Sequence, residues 1–409
     1  MDKGKLKNYA KLLVNIGGNV QPGQLVIIGC DVDNAYFARM VHEVAYDAGA
    51  SDVWIDWIDD PTYRARYLRA ADEVFDVYPQ WKVDKLKHQD ENNAVYLEID
   101  ASDPELLKGI DSDRIKRASK ASREATREHS WRMMTNAQRW SVIAIPSKPW
   151  AKMVFPNLSE KKAVESLWEL LSKATRADGE DPIAEWAKHR EKLANRVDCL
   201  NNMNFNSLRF TTGLGSDFTI GLVKNHIWIG GSVSDKNGVP FFPNMPTEEI
   251  FTMPNRNRCD GRVVSSMPLS YCGNLIEDFE LTFKDGIVEK YSARMGEELL
   301  KQILETDEGA VRLGEVALVP NSSPIGQMKT LFYNSLFDEN AASHLALGKS
   351  YPYCVVGGEN LNAEELKVVG GNYSLTHVDF MFGTSDMKVL GIKQDGSEIV
   401  VIEKGDFVF

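Results

Sequence analysis

QPGQLVIIGCDVDNAYFARMVHEVAYDAGASDVWIDW, residues 21–57, carries the alternation that decides the fold class. The turn Gln21-Pro22-Gly23 is followed by the short β-type run Leu25-Val26-Ile27-Ile28. Ala35, Ala38, Val41 and Ala45 then recur at helical spacing until Gly49, and Val53-Trp54-Ile55-Asp56-Trp57 reads as a second strand. The same texture continues outward. Ala94–Ile99 and Trp140–Ile145 read as further strands, with helical segments around 112–128, 160–175 and 182–196. Strands alternating with helices predict a mostly parallel sheet flanked by helices on both faces. Upstream, Leu6, Tyr9, Leu12, Leu13 and Ile16 mark an amphipathic N-terminal helix without the apolar core and cleavage site of a signal peptide.

The pattern changes near Asn201-Asn202-Met203-Asn204-Phe205-Asn206. Beyond it come short strands at 217–222, 263–266, 277–283, 287–291 and 398–403. Lys284-Asp285-Gly286 and Gln394-Asp395-Gly396 carry the Asp-Gly signal of tight hairpins. Helices are expected around 294–305 and 339–347. The expected organisation is α/β over 1–205 and an α+β domain rich in antiparallel strands over 206–409, consistent with a 409-residue chain too long for one core.

Composition narrows the function. Hydrophobic residues make up 43% and charged residues 26%, the balance of an ordinary globular protein, and no apolar run is long enough to span a bilayer. The net charge of −12 argues against nucleic-acid or anionic-membrane partners, which need a concentrated positive face. The basic stretch Arg114–Arg117 lies in a helical pattern that also carries acids and reads as solvated surface. Cys30, Cys199, Cys259, Cys272 and Cys354 are scattered and odd in number, as expected of free thiols in the cytoplasm. The first strand runs into Gly29-Cys30-Asp31-Val32-Asp33, not a dinucleotide-binding glycine fingerprint. No phosphate-binding loop, nucleophile elbow or H-E-x-x-H zinc helix occurs.

The remaining chemistry lies in the C-terminal half. His377-Val378-Asp379 is strand-like, so imidazole and carboxylate project to one face. His344 is expected on a short helix between Asp338 as N-cap and the terminating Gly348. Glu315 interrupts the apolar run Leu313–Val319, where a carboxylate is costly to bury without a cation or hydrogen bonds. Glu248-Glu249 also sits against apolar neighbours. Each has an ordinary explanation when taken singly. His344 could be a core hydrogen-bonding residue, Glu248-Glu249 an exposed turn, and Glu315 an ion-pair partner of Arg312 or Arg294.

Together, NMPTEEIFTMPN, PLSYCGNLIEDFELTFKDG, TDEGAVRLGEVALVP, FDENAASHLALG and THVDFMFGTSD resemble the aminopeptidase T/aminopeptidase S family of metallopeptidases. NYAKLLVNIGGNVQPGQLVI and DAGASDVWIDWIDD extend the likeness over nearly the whole chain. The resemblance implies a metal-dependent aminopeptidase acting on peptides with a free N-terminus, two divalent ions per subunit, and a homodimer. It assigns Glu249, Glu315, His344, His377 and Asp379 as ligands, with Glu315 shared between the ions. Glu339 is left as either ligand or general base, Glu315 or Glu339 as the carboxylate that receives the proton, and Tyr351 as the active-site tyrosine. Oxygen and imidazole donors suit zinc, cobalt or manganese. Two such ions, roughly 3.5–4 Å apart, would activate a bridging water to attack the scissile carbonyl. The competing expectations are a phosphoesterase on the same ligands and a binding protein with a degenerate site.

Overall fold

The computed structural model describes residues 2–101, 103–271 and 273–409. Cys272 therefore lies outside the described residues. The chain forms two compact units, one of residues 1–188 with 232–246, the other of 189–231 with 247–409. The single division expected near residue 205 is replaced by an earlier one inside the helix Pro182–Met203 and by an excursion at 232–246. The excursion belongs to the first unit because it completes that unit's sheet: Asn244 and Met245 pair in parallel with Val142 and Ile143. Strands of two residues leave no periodicity from which to foresee this.

In the first unit the sheet runs, edge to edge, Asn244–Met245, Trp140–Ala144, Val95–Asp100, Leu25–Asp31 and Asp52–Ile58, with every pairing parallel. Val26, Ile28, Val95, Leu97 and Ile143 of these strands pack with Leu12, Leu13, Phe37, Val41 and Trp168 of the flanking helices. Residues 112–125, 160–174 and 182–203 are helical, close to the expected spans. The first strand ends at Asp31, whose carboxylate accepts from the Asp33 amide (2.8 Å). An anion thus occupies the strand end where dinucleotide folds offer glycine amides to a pyrophosphate.

The second unit is built on two antiparallel sheets. The larger includes Asp217–Leu222, Pro254–Val264, Asn274–Lys284, Ile287–Met295 and Glu398–Glu403. Its Asp285-Gly286 turn has φ of 50° and 77°, the paired positive values that the Asp-Gly signal foretells. The smaller sheet runs His377–Met381, His344–Gly348, Leu313–Leu318, Ile250–Thr252 and Ile229–Gly230. Val316, Leu318, Leu345, Leu347, Val378 and Phe380 from it share a core with Phe210, Phe218, Ile220 and Leu281 of the larger sheet. No described helix is long and apolar enough to cross a membrane.

Candidate metal centre

Register explains how polar residues come to share the other face of the smaller sheet. Phe251 pairs with Ala317, Ala317 with His344, and His344 with Met381; one row along, Glu315 pairs with Ala346 and Ala346 with Asp379. Directly opposed residues project to the same side, so Glu315, His344 and Asp379 share a face while Val316, Leu345 and Phe380 fill the core. Ala317 and Ala346 keep the space between them open. A bulge at Gly314 brings Leu313 opposite Leu347 and into the core despite its two-residue offset from Glu315. A methyl group at Gly314 would collide with the carbonyl oxygens of Gly348 and Lys349.

His344 therefore begins a strand, not the expected helix over 339–347. The helix is only Ser335–Asp338, followed by the tight turn Glu339–Ala341. Asp338 does not cap a following helix. Its carboxylate reaches back to the amides of Phe332 (2.7 Å) and Asn334 (3.0 Å). The alternation His-Leu-Ala-Leu, with both leucines in the core, was the available sign of a strand.

The side chains converge closely. His344 Nε2 lies 3.1 Å from Glu249 Oε2 and 3.6 Å from Glu315 Oε1. His377 Nε2 lies 3.6 Å from Glu315 Oε2 and 3.3 Å from Asp379 Oδ1. Glu249, Glu315 and His344 thus offer donor atoms within 4.8 Å of one another, as do Glu315, His377 and Asp379. Glu315 is common to both groups, with a different oxygen toward each imidazole. It is 4% exposed, Glu249 7% and His344 1%, so the acids are not surface charges. Arg294 instead pairs with Glu277 and Asp278, and Arg312 binds the Arg256 carbonyl. Glu248 is buried too, with its Oε1 3.9 Å from His189 Nε2.

Glu339 lies outside both groups but within the field of Glu249, Asp379, His344 and Glu315. The turn places it near the acids without the helical face that the spacing had denied it. Tyr351 sets its ring 5.0 Å from that of His377. Sequence reasoning missed Asn340, fully buried, whose Oδ1 accepts from the Glu248 amide (2.6 Å) and so ties Glu249's strand to Glu339's turn. It also missed Phe251, which lies two residues beyond Glu249, opposite Ala317 and so on the face of His344.

The donor set fits divalent metal. His344 Nδ1 donates to the Ala342 carbonyl (3.2 Å) and His377 Nδ1 to the Lys349 carbonyl (2.7 Å). Each neutral ring then turns the Nε2 lone pair toward carboxylate oxygens, an arrangement that repels unless a cation or proton lies between. Asp379 Oδ1 is buried without a well-formed hydrogen bond, although it lies beside His377. The metal-free ionisation reflects the same crowding. Burial pushes Glu315 up to about 7, against the pull of His344, and pushes Glu339 well above the usual carboxylate range with help from Glu249 and Asp379. Burial pulls His377 down, but Asp379 and Glu315 outweigh it and hold the imidazole at about 9. His344 is likewise raised, by Glu249 and Glu315 against burial. Asp379 falls below its ordinary value because His377 overcomes the burial effect.

Residues 2–407 match the thermophilic metalloprotease (M29) family. The chain belongs to that family. It is 42% identical to Aminopeptidase 2 of Geobacillus stearothermophilus over 405 residues, covering 99% of this chain and 98% of the relative. Aminopeptidase T of Thermus thermophilus is 38% identical over 406 residues, 99% of each chain. The solved structure of wild-type AmpT from Thermus thermophilus superposes with a TM-score of 0.93 at 37% identity, covering 100% of both chains. A 2,5-dihydroxypyridine dioxygenase from Pseudomonas putida shares the fold alone, with a TM-score of 0.52 at 12% identity over 99% of this chain and 96% of that one. This M29 chain is a metalloaminopeptidase, and its family implies divalent metal and peptide substrates. The phosphoesterase and binding-protein expectations give way to that membership.

Proposed function

We propose that Glu249, Glu315, His344, His377 and Asp379 hold two divalent ions, with Glu315 bridging, and that this centre releases N-terminal residues from peptides. The observation that carries the reading is the sharing of Glu315 by two donor groups, one oxygen toward each imidazole. Divalent metal, when bound, supplies Lewis-acid polarisation of a carbonyl and brings deprotonation of water toward neutral pH.

The chain's own groups supply the rest. The Nδ1 bonds to Ala342 and Lys349 hold both rings in one tautomer with Nε2 facing inward. The Glu339 carboxylate takes the proton from the attacking water and returns it to the leaving nitrogen, a role its turn beside Glu249, Glu315 and Asp379 places it to play. Tyr351 keeps its proton, because burial and then the neighbouring Tyr353 and carboxylates raise its pKa well above the phenolic range. Its hydroxyl donates to the oxygen that gains charge at the scissile carbonyl. The native metal is zinc, cobalt or manganese by donor type. A homodimer belongs to the same proposal.

The test is hydrolysis of a free and an N-acetylated amino-acid p-nitroanilide before and after chelation, with single metals restored and bound metal counted by mass spectrometry. Loss on chelation, recovery with metal at two ions per chain, and rejection of the acetylated substrate are expected. Chelation-insensitive activity, or full activity at one ion per chain, overturns the reading.

A further inference from the structure

An exopeptidase has to seat one side chain beside its hydrolytic centre, because that side chain branches from the atom next to the scissile carbonyl. The smaller sheet has two differently furnished ends. The His377–Met381 edge brings His377 and Asp379. Toward the opposite edge, Phe251 pairs with Ile229 on one side and on the other with Ala317, itself opposite His344, so it projects on the face of the donor groups. The Phe251 ring lies 5.8 Å from that of Tyr351 and 6.3 Å from that of Tyr353, and the two tyrosines stack at 5.3 Å. Tyr351 in turn touches the His377 ring, so the aromatic group is continuous with the centre. Val223, Met253, Val355 and Leu366 back it.

Exposure separates this surface from ordinary core. Ile229, Phe251, Tyr351 and Tyr353 are each only partly buried, whereas the residues behind them are buried. The side chains this surface presents are one aliphatic group, Ile229, and the rings of Phe251, Tyr351 and Tyr353. A charged N-terminal side chain would be desolvated against those faces, whereas an apolar one gains contact with three rings.

We propose that Ile229, Phe251 and Tyr353 form the wall against which the N-terminal residue's side chain lies, so that the preferred substrates are peptides beginning with a large apolar or aromatic residue. This inference rests on the reading of the Glu315 centre as hydrolytic. A methylene gained or lost in an apolar pocket is worth roughly 10–200-fold in kcat/KM, which makes a leucine-over-alanine preference of at least about tenfold the expectation.

The experiment measures kcat/KM for Phe, Leu, Ala, Lys and Glu p-nitroanilides on the metal-loaded protein and on Phe251→Ala, Phe251→Leu, Tyr353→Ala and Ile229→Trp, with metal content and circular dichroism as controls. Wild type is expected to favour Phe and Leu. The alanine variants should lose about tenfold or more on these two while Ala changes by less than about threefold. Phe251→Leu, which keeps an apolar filler should Phe251→Ala not fold, should lose mainly on Phe. Ile229→Trp should exclude Phe and spare Ala. Equal losses on every substrate in the metal-replete variants, or a wild-type preference for Lys or Glu, overturn the wall. A wild-type protein that releases no N-terminal residue from any substrate overturns the reading of the centre instead.

Discussion

Replacing Glu315 by glutamine keeps the shape of the side chain and removes the charge that both imidazoles share. Two opposite effects follow. Two unit charges at about 4 Å in a protein site interact by about 4 kcal/mol, so each donor group should lose at least about 10³ in affinity for a divalent cation. Hydrolysis should fall at least that far. The metal-free fold should respond in the other direction. Burial raises this carboxyl from 4.5 to about 7, a cost of about 3 kcal/mol when it is ionised. Because the folded pKa lies above the unfolded one, that cost is absent below pH 4.5, grows through the interval to about 7, and is complete above it. Glu315→Gln should therefore raise the denaturant midpoint of metal-free protein at pH 8 and leave it unchanged near pH 4. The assays are p-nitroanilide hydrolysis, metal counting, and urea unfolding in chelator at both pH values. Near-normal hydrolysis refutes the shared-ligand argument. A metal-free variant less stable than wild type at pH 8 refutes the burial argument.

Metal loading should release protons. His377 at about 9 is protonated and Glu315 at about 7 partly so in neutral metal-free protein, so cation affinity should rise with pH to about 9 and fall most steeply below 7; calorimetry in two buffers of different ionisation enthalpy reads the release, and a flat profile contradicts it. Tyr351→Phe should lower kcat by about 10²–10³ with little change in KM and full metal content, as for loss of one oxyanion donor; a change confined to KM would assign the hydroxyl to ground-state binding. Gly314→Ala should cost about 1–3 kcal/mol or more, since rigid carbonyls of Gly348 and Lys349 occupy the space. Thermal unfolding of the purified variant measures it, and an unchanged midpoint would show that the strand can yield there.

Much of this was legible in the sequence, for identifiable reasons. The run Leu25–Ile28 reads clearly because it is buried on both faces of a parallel sheet, and Val53–Trp57 because its β-type residues form the sheet edge, although Trp54 and Trp57 stay exposed. The positive φ values at Asp285 and Gly286 are demanded by a two-residue hairpin. Glu315 was conspicuous because charge inside an apolar strand requires an explanation, and His377-Val378-Asp379 because a period of two defines one face. What failed was local punctuation. Asp338 and Gly348 look like helix signals, but Asp338 is satisfied by amides upstream of it, and Gly348 ends a strand with φ of 106°. The placement of Ser232–Pro246 depends on partners about a hundred residues earlier, which local pattern does not encode.

The Gly314 bulge has a consequence for how the chain tolerates change of length. It acts as a spacer that sets Glu315 and Leu313 on opposite sides of one short strand. Deleting Gly314 would leave Leu313 and Glu315 as neighbours that still alternate faces, whereas deleting Val316 would throw Glu315 and Ala317, which share a face, to opposite faces and set the acid or the strand beyond it out of register. Insertions belong in the hairpin ends, such as Asp285-Gly286 or Asp395-Gly396; the six residues Leu313–Leu318 should accept none.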